Sequence, residues 1–168
     1  MCINKNIIME KEKIMIDLNA DILLTDGSTL KAENLKTDLE IADLSMKPQM
    51  VRRRKVTKEK EYQILEFENG AKFFCLIYLS FLTREADITA ENLRKGDKVL
   101  GFDGKNYTEI EVTSSLRISP VTRKNEKIPK KVKMLFFETF EYMPFVANGI
   151  CIDLRKQMGL GKMKRSLF

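Results

Sequence analysis

The chain of 168 residues contains no histidine. That absence removes every mechanism built on an imidazole base, and with it most transition-metal sites. Cysteine is scarce: Cys2, Cys75 and Cys151 form no Cys-x-x-Cys pair, and an odd, widely spaced set of thiols does not make a disulfide framework. Cys75 and Cys151 lie inside apolar runs, where a thiol is ordinarily a small buried hydrophobe. No cofactor or metal ligand is therefore expected. Long hydrophobic runs are also missing. The longest, Phe73 to Leu82, has ten residues and includes Ser80, well short of the roughly 18–20 that a membrane-spanning helix needs. Met1 to Met15 alternates Ile with Lys and Glu and lacks the apolar core of a signal peptide, so a cytoplasmic location without a membrane partner is expected.

What the chain does hold is a globular composition, 43% hydrophobic and 32% charged, and enough length to bury a proper core. Its net charge of +6 is unevenly spread. Lys47 to Lys60 carries +6, Pro120 to Lys133 +5 and Arg155 to Phe168 +5, which leaves −10 for the rest. An acidic body with basic loops and a basic tail is the result. Such stretches do not belong in a core. Arg52, Arg53, Arg54 and Lys55, with Met158, Lys162, Lys164, Arg165 and Phe168 in the tail, are candidate contacts with other protein subunits of an oligomeric assembly. Nucleic-acid binding by the same basic runs is the alternative, but aromatic residues do not interleave with them as stacking platforms would.

The strongest internal signal is a repeated word. Leu30-Lys31-Ala32-Glu33-Asn34-Leu35 returns as Ile88-Thr89-Ala90-Glu91-Asn92-Leu93, each copy followed by a basic residue and then an Asp. Phe67-Glu68-Asn69-Gly70 is likewise matched by Val146-Ala147-Asn148-Gly149. Two copies are too few for a solenoid, so a folded pair related by pseudo-symmetry is expected. Short apolar and β-branched runs separated by Asp26-Gly27, Asn69-Gly70, Asp103-Gly104 and Asn148-Gly149 predict hairpins, and no long helical period competes with them. Strands are predicted at 21–25, 39–44, 62–67, 71–82, 99–102, 107–118 and 150–152, with a long strand pair or bent strand at 132–146 that Pro144 bends. Residues 47–60 are predicted as a loop or a solvated hairpin arm, and 120–131 as a second basic loop.

This order of words resembles the Hint domain, the module shared by hedgehog autoprocessing domains and inteins. The similarity spans about residues 15 to 154, most specifically Phe74 through Leu100, where Phe81-Leu82-Thr83 precedes Ala-Glu-Asn-Leu-x-x-Gly-Asp. The resemblance implies an all-β, pseudo-two-fold duplicated horseshoe at 15–154, with an N-terminal arm at 1–14 and a basic C-terminal tail at 155–168. It also implies an acyl rearrangement at a first-position Cys or Ser, assisted by Thr-x-x-His and completed by His-Asn. The first position falls near Met15 or Ile16, the Thr and His on Leu76 and Leu79, and the last pair on Asp153-Leu154. None of these is a matching residue. The expectation is accordingly a non-enzyme, a structural or interaction subunit of a larger assembly, such as a bacteriophage virion component. The alternative is an autoprocessing enzyme.

Overall fold

The computed structural model describes residues 15–121 and 128–153. Fourteen short strands account for most of them: β1 Met15–Asp17, β2 Asp21–Leu23, β3 Thr29–Lys31, β4 Glu40–Ala42, β5 Pro48–Glu59, β6 Tyr62–Phe67, β7 Lys72–Cys75, β8 Ser80–Phe81, β9 Ile88–Thr89, β10 Lys98–Phe102, β11 Tyr107–Ile118, β12 Val132–Thr139, β13 Phe145–Ala147 and β14 Ile150–Ile152. Every pairing among them is antiparallel, and one continuous path runs β3-β2-β13-β14-β10-β11-β6-β7-β1-β12-β5-β4. The only helical turns among the described residues are two 3-10 turns, Ala32–Asn34 and Ala90–Asn92. The all-β reading of the sequence is the observed fold.

Those two turns are the two copies of the repeated word, and their surroundings match bond for bond. The Leu35 amide donates to the Ala32 carbonyl and Leu93 to Ala90; Ala32 donates to Ala20 and Ala90 to Leu79; Glu33 donates to Leu18 and Glu91 to Ile77. Leu35 and Leu93, the last letters of each word, are both fully buried in one core. After each turn the chain needs a left-handed residue, Asp38 at φ 72° and Gly96 at φ 96°. It then pairs with a long strand: Asp38 and Leu39 bracket Val51 as Gly96 and Asp97 bracket Val112. The duplication is therefore carried by backbone geometry as well as by spelling.

The halves are interlocked. β5 of the first half lies along β12 of the second, while β11 of the second lies along β6 of the first. Each half is completed by a strand of the other, so the large core with Ile16, Leu65, Phe73, Leu79, Leu135 and Phe137 draws on both.

Two sequence readings are corrected. Residues 47–60 are neither a loop nor a hairpin arm, since Pro48–Glu59 is a twelve-residue strand, alternately buried at Gln49 and Val51, paired to β12 and β4. Charge density hid that alternation. The apolar stretch 71–82 is not one strand: a tight turn, closed by the Leu79 amide on the Leu76 carbonyl, separates β7 from β8. All four Asx-Gly turns close hairpins as read, by more than one geometry. Only Asn148-Gly149 has both residues left-handed, at φ 53° and 77°, as a two-residue type I′ hairpin demands. At Asp26-Gly27 and Asn69-Gly70 the glycine alone is left-handed, and the preceding side chain accepts the backbone N–H two residues on, at 2.9 Å in both. These are type I turns with a one-residue bulge. The arm at 1–14, residues 122–127 of the second basic loop and the tail at 155–168 lie outside the described residues.

Candidate functional site

Repetition also builds the site. The turn 17–20, closed by the Ala20 amide on the Asp17 carbonyl, is the first-half counterpart of the turn 76–79. Asp17 ends the opening strand β1, and Asp153 follows the closing strand β14. Both reach the same segment, residues 74–80. Asp17 Oδ2 accepts the Phe74 amide at 2.9 Å while its Oδ1 accepts Asn19 at 2.9 Å. The Asp153 amide donates to the Ser80 carbonyl at 2.9 Å. Both aspartates are buried, at 8% and 4% exposure. An antiparallel sheet that pairs β1 with β7 and β14 with β8 can do nothing else with its two ends.

The environment is mostly apolar. Leu79 is fully buried in the large core, and Leu76 packs half-buried against Tyr62, Ile118, Met134 and Phe136. Three polar features interrupt it. Gln63 stands opposite Cys75 and donates from Nε2 to Ser115 Oγ at 2.8 Å, yet its buried Oε1 finds no partner among the described residues. The buried Ser80 Oγ finds none either. Burial of an unmatched oxygen costs roughly 1–3 kcal/mol, so two of them in one neighbourhood are unusual. The third feature is Asp17, whose carboxyl burial holds above the ordinary 3.8, against the opposing pull of the Phe74, Asn19 and Ala20 amides and Lys31. Burial, and then the charge of Asp17, push the Cys75 thiol well above its usual range, so Cys75 is no thiolate nucleophile. Among the described residues no three Cys, Asp or Glu side chains gather as a metal ion would need.

Asp17 is the residue that sequence reading missed, one position beyond the place assigned to the nucleophile. Its signal was a lone acidic residue between Ile16 and Leu18. Because the carboxyl is favoured neutral in the folded state, the stability it gives is fully present below pH 3.8 and is lost as pH rises through the folded value. Asp17→Asn keeps one acceptor and turns an NH2 toward an amide, so it is expected to cost about 1–3 kcal/mol at pH 3.5. By pH 7 the gap to wild type should narrow. Denaturant titrations of both chains at the two pH values check this, and a gap that widened with pH would contradict it.

The candidate interaction residues fall as follows. Arg52, Arg53, Arg54 and Lys55 are consecutive on β5. Arg52 Nη1 donates to the Tyr142 hydroxyl at 3.5 Å, and that hydroxyl donates to Glu138 Oε2 at 2.8 Å. Arg53 Nε lies 3.4 Å from Glu138 Oε1, with its guanidinium 5.6 Å over the Phe136 ring. Arg54 Nε is buried without a partner among the described residues, and Lys55 is exposed. Met158, Lys162, Lys164, Arg165 and Phe168 lie outside the described residues.

No protein-family model matches this chain, and no curated protein does. Solved structures do. The DnaB intein from Synechocystis sp. PCC 6803 superposes with a TM-score of 0.67 at 17% identity, covering 84% of this chain and 98% of that one. An intein-like domain from Clostridium thermocellum gives 0.63 at 18%, covering 84% and 98%. The gp41-1 intein gives 0.64 at 13%, covering 83% and 98%. At these identities the likeness is one of fold, and the fold of this chain is that of inteins and Hint domains. The non-enzyme expectation is thereby overturned, because the structures this chain matches in fold are inteins and an intein-like domain.

Proposed function

We propose that this chain is an autoprocessing domain that cuts its own main chain after Asp153. The observation that carries the reading is the convergence of the opening and closing strands, each bearing a buried aspartate, on the single segment 74–80. The intein fold supports it. With histidine absent and Cys75 held as a thiol, the reactive groups are carboxyls.

The chemistry needs only Asp153. Its side-chain carboxyl oxygen attacks its own main-chain carbonyl carbon, the bond to the nitrogen of residue 154 breaks, and the carboxyl proton leaves with that nitrogen. A five-membered cyclic anhydride results. Water opens it, restoring Asp153 with a free C-terminus and releasing residues 154–168. Asp17 holds the segment in place through Phe74 and takes no part in bond making.

Intact-mass spectrometry of the purified chain, fresh and after days at 37 °C, tests the reading. The expected result is a growing species that ends at Asp153. Asp153→Ala should abolish it, whereas Asp153→Asn should still cut, leaving a cyclic imide at the new end because the amide nitrogen attacks instead. A wild-type chain that stays at full-length mass while folded would overturn the proposal.

A further inference from the structure

The start of β12, the end of β11 and the β5–β6 turn enclose a recess of about 350 Å³. Its walls are Lys60, Lys130 and Lys131, with Ser119 and Pro120. Among the described residues no carboxylate lines it. The Tyr62 hydroxyl donates to the Pro129 carbonyl and so fixes the strand-leading segment that carries two of the three lysines. Beside the recess Lys58 and Lys133 stand directly opposite each other in register. Like charges at such a position are destabilising unless something neutralises them. None of these five lysines forms an ion pair among the described residues. Two acids are near: Glu59, which accepts the Thr57 hydroxyl at 3.0 Å, and the exposed Glu61.

Lysines on an edge strand also keep sheets from pairing edge to edge. That accounts for Lys58 on β5, whose outer edge beyond residue 50 has no neighbour among the described strands. It does not account for Lys60, Lys130 and Lys131, which sit on the wall of the recess and not on a ladder.

We propose that this recess and the adjoining outer edge of β5 bind the phosphate backbone of a nucleic acid. Along that edge the basic run continues from the recess through Lys58 and Lys55 to Arg53 and Arg52, with side chains leaving from both faces of the strand. The seven steps from Arg52 to Glu59 span about 24 Å at ~3.4 Å each, more than one phosphate or one lipid headgroup occupies. At the far end Arg52 lies 5.9 Å over the ring of Phe140, which is 57% exposed and offers a single surface for a base. Contacts of this kind hold phosphates without reading sequence.

The test uses the full chain and fluorescein-labelled 30-mers, single-stranded and duplex, in anisotropy titrations from about 50 to 200 mM salt. Binding is expected to weaken steeply with salt and to be indifferent to sequence. The triple variant Lys60→Ala, Lys130→Ala, Lys131→Ala should raise Kd at least tenfold and flatten the salt slope by about 2–3 units, since each neutralised phosphate contributes roughly 0.7–0.9. All three are exposed, so the fold is retained. A control triple variant at the exposed Lys36, Lys95 and Lys105, which removes the same charge elsewhere, should bind like wild type. The proposal is overturned if neither 30-mer binds at 50 mM salt. Equal weakening by the two triple variants overturns it too, as does binding to vesicles of anionic phospholipid without binding to either oligonucleotide.

Discussion

Phe73→Ala is expected to cost about 3–5 kcal/mol, the usual range for emptying a large aromatic from a packed core. In a chain of this size that is a fall in Tm of roughly 6–20 °C. Phe73 is fully buried at the meeting point of the two halves. Its ring centroid lies 5.9 Å from Phe67, edge-on at 89°, and 5.8 Å from Phe81 at 76°, and Phe67 and Phe81 are themselves 5.9 Å apart. Edge-to-face pairs of this kind add to the simple burial of area. The alternation of β7 supplies an internal control. Phe74, next in sequence, points to the other face, is half-buried, and touches Tyr62 at 5.9 Å with Lys72 over its ring. Phe74→Ala should therefore cost much less. Chemical denaturation of the two variants measures the difference, and equal losses would show that the three-ring cluster is not the centre of the core.

The aromatic triad illustrates what was legible in the sequence. Asn69-Gly70 placed a turn between Phe67 and Phe73, and alternation placed both on one face. Ala32–Leu35 and Ala90–Leu93 were legible for a related reason: the same short word solves the same backbone problem twice, closing a 3-10 turn and burying a leucine. What could not be read is where each half finds its partner strand. Nothing in Pro48–Glu59 announces that it pairs with residues about 80 positions away rather than with its neighbour Tyr62–Phe67, because pairing across the pseudo-symmetric interface depends on both halves folding together. Asp17 was hidden for another reason, while Asp153 was placed at the closing position and set aside because the pair there is not His-Asn. An acidic residue at the end of a strand is ordinarily solvated, and only the convergence of β1 and β14 on residues 74–80 buries Asp17 and Asp153. Arg52 to Lys55 looked like a loop because charge normally marks one. On β5 the arginines are partly satisfied from within, by Glu138, Tyr142 and two rings, and the uncompensated charge lies further on, at the recess.

Gln49→Leu should lose about 2–5 kcal/mol, even though it swaps a buried polar side chain for an apolar one of similar size, because it strands two or more buried groups at about 1–3 kcal/mol each. Gln49 is 1% exposed, and it organises the bend between β12 and β13. Its Nε2 donates to the Pro144 carbonyl at 3.0 Å, and its Oε1 accepts both the Thr139 hydroxyl at 2.8 Å and the Met143 amide at 3.1 Å. Thr139 Oγ1 in turn accepts the Tyr142 amide at 3.0 Å. That amide belongs to a residue forced to φ 52°, an unfavourable conformation for tyrosine that persists only where its surroundings over-determine it. Pro144, which cannot donate to a ladder, sits at the exit of the same bend. Removing Gln49 thus frees the strained turn as well as its polar groups, and it loosens Phe145, which packs 4.9 Å from Phe137 across the bend. Gln63→Leu is the comparison that separates this from burial in general. Gln63 is 3% exposed, makes one side-chain bond among the described residues, to Ser115, and already carries an unmatched Oε1. Its replacement should cost far less, and both variants can be ranked by urea unfolding at neutral pH. If Gln49→Leu proved as mild as Gln63→Leu, the bend would be held by Pro144 and the packing of Phe145 alone.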